Sequence, residues 1–154
     1  MIKIRKATIK DVDELTNLWY NEELLNKSRY YRLSKNAKDL MKKELKKLLR
    51  KKDYVAFIAE ENNEILGAIH GVINKTYFLF DFKKIGHVAT LFVKKQHRKK
   101  GVFKLLFISL IKWFKSKGIK EIDIYVHLKN KLAKKIWTRY GFEEELIYMR
   151  KTLR

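Results

Sequence analysis

The sequence predicts an α/β protein with its elements in the order β-α-α-β-β-β-α-β-α-β, and three observations support this. Apolar residues alternate with polar ones in some stretches and recur at helical spacing in others. The 154 residues are enough to bury a core. Proline is absent, and no repeat or linker divides the chain. We therefore expect a single domain that spans residues 1–154.

The N-terminal third is predicted to be a strand followed by two helices. The opening IKIRKAT alternates apolar and polar residues, as a strand does. Thr8, with Asp11 three residues later, is similar to a capping box and marks the start of the first helix. The second helix begins near Ser34 or Asn36, because leucines then recur on one face and lysines fill the other.

The rest of the chain alternates between the two periods. YVAFIAEE and ILGAIHGVI are predicted strands joined by a turn at Asn62-Asn63, and IGHVATLFV is a strand from Ile85 to Val93. A helix runs from about Lys99 to Lys117 and ends at Gly118, a typical C-cap. EIDIYVHL is the next strand, NKLAKKIWTRY is a short helix closed by Gly141, and EEELIYMRKTL is a last strand.

Composition excludes several classes of protein. There is no cysteine, which removes disulfides, thiolate metal sites and a cysteine nucleophile. The four histidines lack a two-histidine ligand spacing, so no metal site is expected. The longest apolar stretches, LLFISLI and YFLF, are too short to span a membrane, and the opening residues lack a signal-peptide core. We expect a cytoplasmic protein.

The charge is strongly positive, with 37 Lys+Arg against 17 Asp+Glu and a formal net charge of +20. Rows of lysine can bind nucleic acid by releasing counterions from its phosphates. The lysines occur along the whole chain and form no single block, which favours their use as solvated surface residues. Nucleic acid and other polyanions stay open as partners, whereas a very basic acceptor would be repelled.

The segment QHRKKGVF lies between the strand that ends at Val93 and the following helix. A helix N-terminus offers N–H groups without intrahelical partners, and Gly101 would let a phosphate approach the backbone. Arg98, Lys99 and Lys100 add positive charge. The spacing is neither that of a nucleotide P-loop nor that of the three-glycine dinucleotide fingerprint. By itself the pattern indicates either an anion site or a lysine-rich helix end.

Four motifs in order resemble the GNAT superfamily of N-acetyltransferases. QHRKKGVF resembles its R-x-x-G-x-[GA] pyrophosphate loop through Arg98 and Gly101. ATLFV is similar to its fourth strand, and IKIRKATIKDVDEL to its usual opening. NKLAKKIWTRYGF resembles its N-x-x-A-x-x-F-Y-x-x-x-G-F segment. The matching residues of that segment are Asn130, Ala133, Gly141 and Phe142. The resemblance implies a mixed, mostly antiparallel sheet flanked by helices in one N-acetyltransferase domain.

The resemblance implies acetyl-CoA as the co-substrate and an unidentified amine as the acceptor. The edge of the strand at Leu91, Phe92 and Val93 would pair with the pantetheine arm and polarise the thioester carbonyl. Asn130 and Trp137 would contact the cofactor further along. The amine would attack the thioester directly, without a covalent intermediate. Backbone amides of the loop would hold the pyrophosphate, namely those of Arg98, Lys99, Lys100, Gly101, Val102, Phe103 and Lys104.

Two residues depart from the family pattern. Phe103 stands where the family usually has glycine or alanine, and it would either crowd the pyrophosphate or pack into the core. Trp137 replaces a tyrosine that is able to protonate the leaving thiolate, and indole cannot supply a proton at neutral pH. Tyr140, one turn further, is the candidate acid, with solvent or the departing ammonium proton as alternatives.

His87 is the candidate base. It occupies a position where some family members have glutamate, and histidine titrates near neutral pH. Strand alternation would place it on one face with Ala89, Leu91 and Val93. The alternatives are His70 on the preceding strand and Glu60, whereas His97 and His127 are less well placed.

The acceptor side carries fewer signals. Glu22, Glu23 and Asp81 are either solvated charges or groups that would attract a cationic amine. Two function classes remain besides an active transferase: a catalytically weak acyl-CoA-binding module, consistent with Trp137 and the missing glutamate, and a polyanion-binding protein. Four aromatic residues would line an acceptor pocket or the surface of a homodimer, or else be buried in the core, namely Tyr30, Tyr31, Tyr77 and Phe80.

Overall fold

The computed structural model describes residues 1–25 and 32–153. They form two compact units, Met1–Ile124 and Tyr125–Arg154. None of the described helices is both long and apolar enough to cross a bilayer. The elements are β1 (Lys3–Lys6), α1 (Val12–Leu25), α2 (Ala37–Leu48), β2 (Tyr54–Glu61), β3 (Glu64–Lys75), β4 (Lys84–Val93), α3 (Val102–Ser116), β5 (Ile122–Ile124) and, in the second unit, α4 (Lys131–Arg139).

A capping box fixes the short turn between β1 and α1, as predicted. The Thr8 hydroxyl accepts from the Lys10 amide, and the Asp11 carboxylate accepts from the Thr8 amide at 2.7 Å. Two N–H groups of Arg5 donate to the same carboxylate at 2.8 and 2.9 Å. Arg5 is the largest cause that lowers the pKa of Asp11 to about 2, so this carboxylate is ionised wherever the protein is folded at neutral pH.

The five strands form one sheet in the order β1-β2-β3-β4-β5. β1 to β4 pair with one another in antiparallel fashion, and β5 is parallel to β4. Asn62 and Asn63 form the tight turn between β2 and β3 with φ angles of 51° and 62°, in the left-handed region that such hairpins use. This mixed, mostly antiparallel sheet with flanking helices confirms the predicted fold class.

Helices cover both faces of the sheet. α1 and α2 pack on one face, where Leu15 and Leu45 are among the buried residues. α3 packs on the other face, because a Cβ at Gly71 or Gly86 would approach the Phe114 ring of α3 within 2.8 and 2.7 Å. The missing side chains of these two glycines therefore let α3 lie close to β3 and β4.

A β-bulge interrupts β4 near its middle. His70 of β3 lies opposite Thr90, and the next residue, Gly71, lies opposite Val88. Ala89 is therefore an extra residue on β4, and it has no directly opposed partner on β3.

The bulge corrects the predicted alternation of β4. Simple alternation places His87, Leu91 and Val93 on one face. Directly paired residues share a face, and the pairing puts His87 on the α1 side together with Thr90 and Phe92. Leu91 and Val93 lie instead on the face that α3 covers. One inserted residue reverses the alternation beyond it.

The last strand of the predicted order is not formed, since residues 142–153 carry neither helix nor strand. Leu146, Ile147, Tyr148 and Met149 are 90, 73, 75 and 86% exposed. Four consecutive apolar residues are typical of a strand that is buried on both faces, and these are buried on neither. The preceding strand, β5, is also shorter than predicted and comprises only Ile122–Ile124.

Candidate functional site

The loop between β4 and α3 leads into the N-terminal end of α3 through two residues of left-handed conformation. Lys99 and Gly101 have φ angles of 63° and 80°, both in the left-handed region. Gly101 is the N-cap of α3, and the Leu105 amide donates to its carbonyl at 3.1 Å. The N–H groups of the residues before Leu105 have no acceptor inside the helix itself, and the helix dipole adds partial positive charge there. This is the geometry of an anion site.

Gly101 suits this loop for two reasons. Its φ of 80° would strain a residue with a Cβ by about 1–2 kcal/mol. Apart from Gly101 itself and its two chain neighbours, no described residue has a heavy atom within 4 Å of the place that a Cβ would occupy. The space beside Gly101 is therefore open to a ligand.

Side chains fix the loop to the sheet. The Arg98 Nε donates to the Val93 carbonyl at 3.0 Å and joins the loop to the end of β4. Lys94 forms ion pairs with Glu14 of α1 at 3.3 Å and with Glu64 of β3 at 3.4 Å. Arg98 therefore stabilises the loop's conformation besides adding charge.

The remaining predicted loop residues divide into buried and exposed ones. Val102 is buried, and the half-buried Phe103 ring lies 6.2 Å from the Phe107 ring on the next turn of α3. Phe103 thus packs along its own helix. The side chains of Lys99, Lys100 and Lys104 are exposed around the first turn.

The edge of β4 opens beyond the bulge. β5 lies beside β4 only at Gly86–Val88. The Lys94 amide donates to the Leu66 carbonyl of β3 at 2.9 Å, so alternation points the backbone groups of Val93 and Leu91 away from β3. Phe92, also predicted as a cofactor contact, directs its backbone groups towards β3. Among the described strands, the split between β4 and β5 therefore leaves Leu91 and Val93 without a strand partner on that side.

His87 is hydrogen-bonded to Asp123, its neighbour in the parallel register between β4 and β5. The Nδ1–Oδ1 distance is 2.7 Å, and the two side chains are 16 and 40% exposed. A proton on Nδ1 would donate to the carboxylate and leave the lone pair on Nε2, the tautomer that a general base requires. The sequence analysis did not identify Asp123 as a partner of His87, because the register between two strands cannot be derived from either strand alone.

His70 lies on the same face of the sheet as His87. Its ring stacks on Trp19 of α1 at 4.2 Å between centroids and lies 5.5 Å from the Tyr54 ring. Burial, with a smaller effect of His87, lowers the pKa of His70 to about 3. His70 is therefore neutral at neutral pH and too weak a base for the alternative role.

The other alternative bases are already engaged in ion pairs. The Glu60 carboxylate lies 2.7 Å from the Arg5 Nε. The His97 Nε2 lies 3.3 Å from the Glu64 carboxylate. Both contacts hold strands and loop together, which favours a structural role for Glu60 and His97.

Glu22 is a half-buried residue on α1, one turn beyond Trp19. Its pKa is raised to about 7, mainly by burial and to a smaller extent by Glu23, while Arg98 of the loop opposes the rise. Within the described residues, its Oε2 is buried without a hydrogen-bond partner, as are Trp19 Nε1, Tyr54 OH and His70 Nδ1. Such atoms cost about 1–3 kcal/mol each, so this set is typical of a site that a ligand or water completes. The sequence offered Glu22 only as a solvated or amine-attracting charge.

The predicted site residues of the second unit lie at the two ends and on the buried face of α4. The Asn130 Oδ1 accepts from the Ala133 amide at 3.0 Å, which makes Asn130 the N-cap of the helix. Trp137 is buried and makes an edge-on ring contact with Phe142 at 5.3 Å. Tyr140 follows the helix and is 38% exposed. The motif residues thus stabilise this unit, whatever else they bind.

The aromatic residues predicted near the acceptor are described only in part. Tyr77 and Phe80 lie in the turn between β3 and β4 and are 56 and 49% exposed. Asp81 in the same turn is exposed. Tyr30 and Tyr31 lie outside the described residues.

Comparison with known proteins identifies the family. The chain matches the Acetyltransferase (GNAT) family over residues 14–142. It is 24% identical over 142 residues to an uncharacterized N-acetyltransferase of Methanocaldococcus jannaschii, a match that covers 92% of this chain and 61% of that protein. The chain therefore spans less than two thirds of the length of that relative.

Two solved structures show the same fold. A predicted acetyltransferase from Clostridium acetobutylicum, solved with acetyl-CoA, has a TM-score of 0.81 at 19% identity and covers 99% of this chain and 96% of its own. The aminoglycoside N-acetyltransferase AAC(6')-Iy, solved with CoA, has a TM-score of 0.80 at 21% identity with the same coverage. The family match includes the loop at Arg98–Lys104 and all of α4, so this chain belongs to the acetyltransferase (GNAT) family.

Proposed function

We propose that this protein transfers the acetyl group of acetyl-CoA to a primary amine by direct attack of the amine on the thioester. The observation that carries the proposal is the loop before α3, where Lys99 and Gly101 adopt left-handed conformations next to the open edge of β4. A CoA ester needs an anion site for its pyrophosphate and polar backbone for its pantetheine arm, and these features adjoin here. Family membership supports the same reaction.

The cofactor would bind mainly to backbone. The amides from Arg98 to Lys104 would hold the pyrophosphate, and the groups of Leu91 and Val93 would pair with the pantetheine arm. Since Arg98 already occupies the Val93 carbonyl, the N–H groups of this edge are the better partners for the arm and the thioester carbonyl. Asn130 and Trp137 are proposed as further contacts on the strength of the family motif.

His87 and Asp123 would handle the acceptor's proton. An alkylammonium has a pKa of about 10 and must lose a proton before it can attack. His87 Nε2 would accept that proton directly or through one water, and Asp123 would hold the ring and stabilise the imidazolium. The amine nitrogen then bonds to the carbonyl carbon, gives up its second proton to solvent or to the departing sulfur, and the C–S bond breaks. The leaving thiolate takes a proton from Tyr140 or from solvent.

Calorimetric titration of acetyl-CoA into the protein tests the first half of the proposal, with dephospho-CoA and ATP as controls. We expect binding in the micromolar range, and no binding to any CoA ester would overturn the proposal. Release of free CoA thiol with a panel of primary amines tests the second half. Binding without turnover on a broad panel would instead identify a catalytically weak acyl-CoA-binding module.

The proton transfer is tested with His87→Gln and Asp123→Asn. Loss of a general base lowers kcat by about 10²–10⁴, and we expect His87→Gln to do so while the Kd for acetyl-CoA stays unchanged. Asp123→Asn should lower kcat less than His87→Gln does, because the ring that accepts the proton is still present. Unchanged kcat in His87→Gln would exclude His87 as the base.

A further inference from the structure

A basic recess lies at the other end of α3 from the cofactor loop. It has a volume of about 250 Å³ and is lined by four lysines, by Tyr54 and Trp113 and by smaller apolar residues. It opens at the sheet edge where β1 has ended and β2 begins, next to the last residues of α2 and α3. A helix of the length of α3 is about 22 Å long, so the recess is well separated from the loop. The four lysines are Lys6, Lys51, Lys52 and Lys117.

These lysines lack acidic partners. Across residues 1–25 and 32–153, none of the four forms an ion pair, whereas Lys42, Lys94 and Lys134 each contact a carboxylate. The lining contains no Asp or Glu among the described residues, and Asp53, although adjacent to Lys52 in sequence, does not belong to it. Four lysines that line one recess give it a positive charge, which a bound anion would offset.

The helix ends nearby do not neutralise this charge. The C-terminal end of an α-helix carries a partial charge of about half an elementary charge, and two such ends, those of α2 and α3, adjoin the recess. Together they offset about one of the four positive charges. The recess therefore keeps a net positive charge that favours a multiply charged anion.

The recess also has an apolar wall and a limited size. Tyr54, Val55 and Trp113 are 6, 5 and 8% exposed, so only a small part of each side chain lines the recess. The volume of about 250 Å³ is below the roughly 300–1,000 Å³ of typical small-molecule pockets. It fits a phosphate group with a short extension better than a cofactor-sized molecule. Lysine ammonium groups are point charges that can contact phosphate oxygens from several directions.

We propose that the basic recess is a second anion site, which binds the phosphate groups of a polyphosphate chain independently of the cofactor loop. The same chemistry has two sources, a free inorganic polyphosphate and the backbone of a single-stranded nucleic acid. A phosphate enters between the lysines, and the apolar wall excludes water from one side of it. The site accounts for part of the large positive charge, for which acetyl transfer itself has no use.

Three charge-matched variants test the proposal. Each loses three positive charges by Lys→Gln substitution, which nearly preserves side-chain length and helix propensity. The recess variant changes Lys51, Lys52 and Lys117. The loop variant changes Lys99, Lys100 and Lys104. The surface variant changes Lys10, Lys43 and Lys112, which are exposed and lie outside the recess lining. Tripolyphosphate and a short oligodeoxythymidine are titrated into each variant at low salt, with and without excess acetyl-CoA.

With excess acetyl-CoA occupying the loop, we expect the recess variant to bind tripolyphosphate at least about tenfold more weakly than the unmodified protein, because several charge-assisted contacts are lost. The surface variant should stay within about twofold, since only diffuse charge changes. Binding at the recess should survive excess acetyl-CoA and the loop substitutions. Oligonucleotide binding that follows the same pattern identifies a nucleic-acid strand as the source, and binding of tripolyphosphate alone identifies free polyphosphate.

Two results would overturn the inference. One is the absence of binding by either probe. The other is an equal loss of affinity in the recess and surface variants, which would show that net charge alone attracts the anion. Far-UV circular dichroism checks that each variant is folded, and the single substitution Lys117→Gln, with a smaller loss expected, replaces the recess variant if that one does not fold. Failure of acetyl-CoA to bind would contradict the proposed function, but tripolyphosphate affinity could still be compared between the recess and surface variants.

Discussion

The two ends of α3 carry two basic regions that are built in different ways. At the N-terminal end, left-handed Lys99 and Gly101 and the bond from Arg98 to Val93 hold the backbone so that its amides face a ligand. At the C-terminal end, the basic recess has four lysine side chains around a cavity. Both regions favour anions, yet the first depends on chain conformation and the second on side-chain charge. Net charge alone therefore does not predict which substitutions will weaken anion binding at each region.

The largest expected effect is that of a side chain at Gly101. In Gly101→Val we expect acetyl-CoA affinity to fall roughly 100-fold, because strain at φ 80° combines with the loss of charge-assisted bonds to backbone amides. Calorimetric titration measures this. Gly118→Val is the matched control, since Gly118 lies just after the same helix, has a φ of 71° and is equally open.

The control separates strain from binding. Both glycine variants should lose about 1–2 kcal/mol of folding stability in thermal denaturation, while Gly118→Val keeps its acetyl-CoA affinity. An equal loss of affinity in the two variants would mean that destabilisation of α3, and not the geometry of the loop, accounts for the effect.

These glycines also show what the sequence could predict. Gly101, Gly118 and Gly141 all lie at predicted helix boundaries and have φ angles of 80°, 71° and 87°. A helix boundary depends on a few adjacent residues, so local chemistry is enough to locate it. The capping box at Thr8 and the turn at Asn62-Asn63 were predictable for the same reason.

Features that depend on pairing between distant segments were not predictable. The bulge at Ala89 and the contact of His87 with Asp123, 36 residues later, both follow from strand registers. The burial of Glu22 follows from how α1 packs on the sheet. The basic recess combines residues from β1, the segment before β2 and the end of α3, which no single stretch of sequence reveals. The prediction of a last strand was wrong, and its apolar residues 146–149 are exposed instead of buried.

The salt dependence of oligodeoxythymidine binding should distinguish the basic recess from the cofactor loop, and this is the next largest effect. Each lysine that neutralises a phosphate of a single strand contributes about 0.7 to the slope of log affinity against log salt. In the recess variant we expect the slope for oligodeoxythymidine to be smaller by about 2, and in the loop variant to be unchanged. Fluorescence anisotropy over a range of salt concentrations measures both. A slope that falls equally in the recess and surface variants would contradict a defined site.

A smaller effect is expected for conservative changes in the loop. Arg98→Lys keeps the charge but removes the Nε donor to the Val93 carbonyl. We expect acetyl-CoA affinity to fall about five- to tenfold, because one hydrogen bond from a charged group is lost. Lys100→Gln removes a charge but leaves the backbone in place, so its loss should be smaller. Calorimetry that found the reverse order would show that the loop acts through its charge and not its conformation.

The smallest expected effect is the change in the pKa of Glu22 when a positive charge is removed from either region. Burial keeps the pKa of Glu22 at about 7, above its ordinary value of 4.5. The folded state therefore holds a proton that the unfolded state has lost between these two pH values, and this group's contribution to stability falls as pH rises through that window. Asp11 stays ionised throughout this range and does not contribute to the change.

Arg98 lowers the pKa of Glu22, so Arg98→Gln should raise the midpoint of its titration above that of the unmodified protein. The shift should be below about one unit, since a partly solvated pair is screened. The matched substitution Lys51→Gln, in the basic recess, should leave the midpoint unchanged. Carbon-13 NMR of the glutamate carboxyls measures the titration, with Glu22→Gln to assign the signal. Equal shifts in both variants would mean that Glu22 senses the net charge of the molecule, whereas a shift confined to Arg98→Gln would show that the loop and α1 are electrostatically coupled.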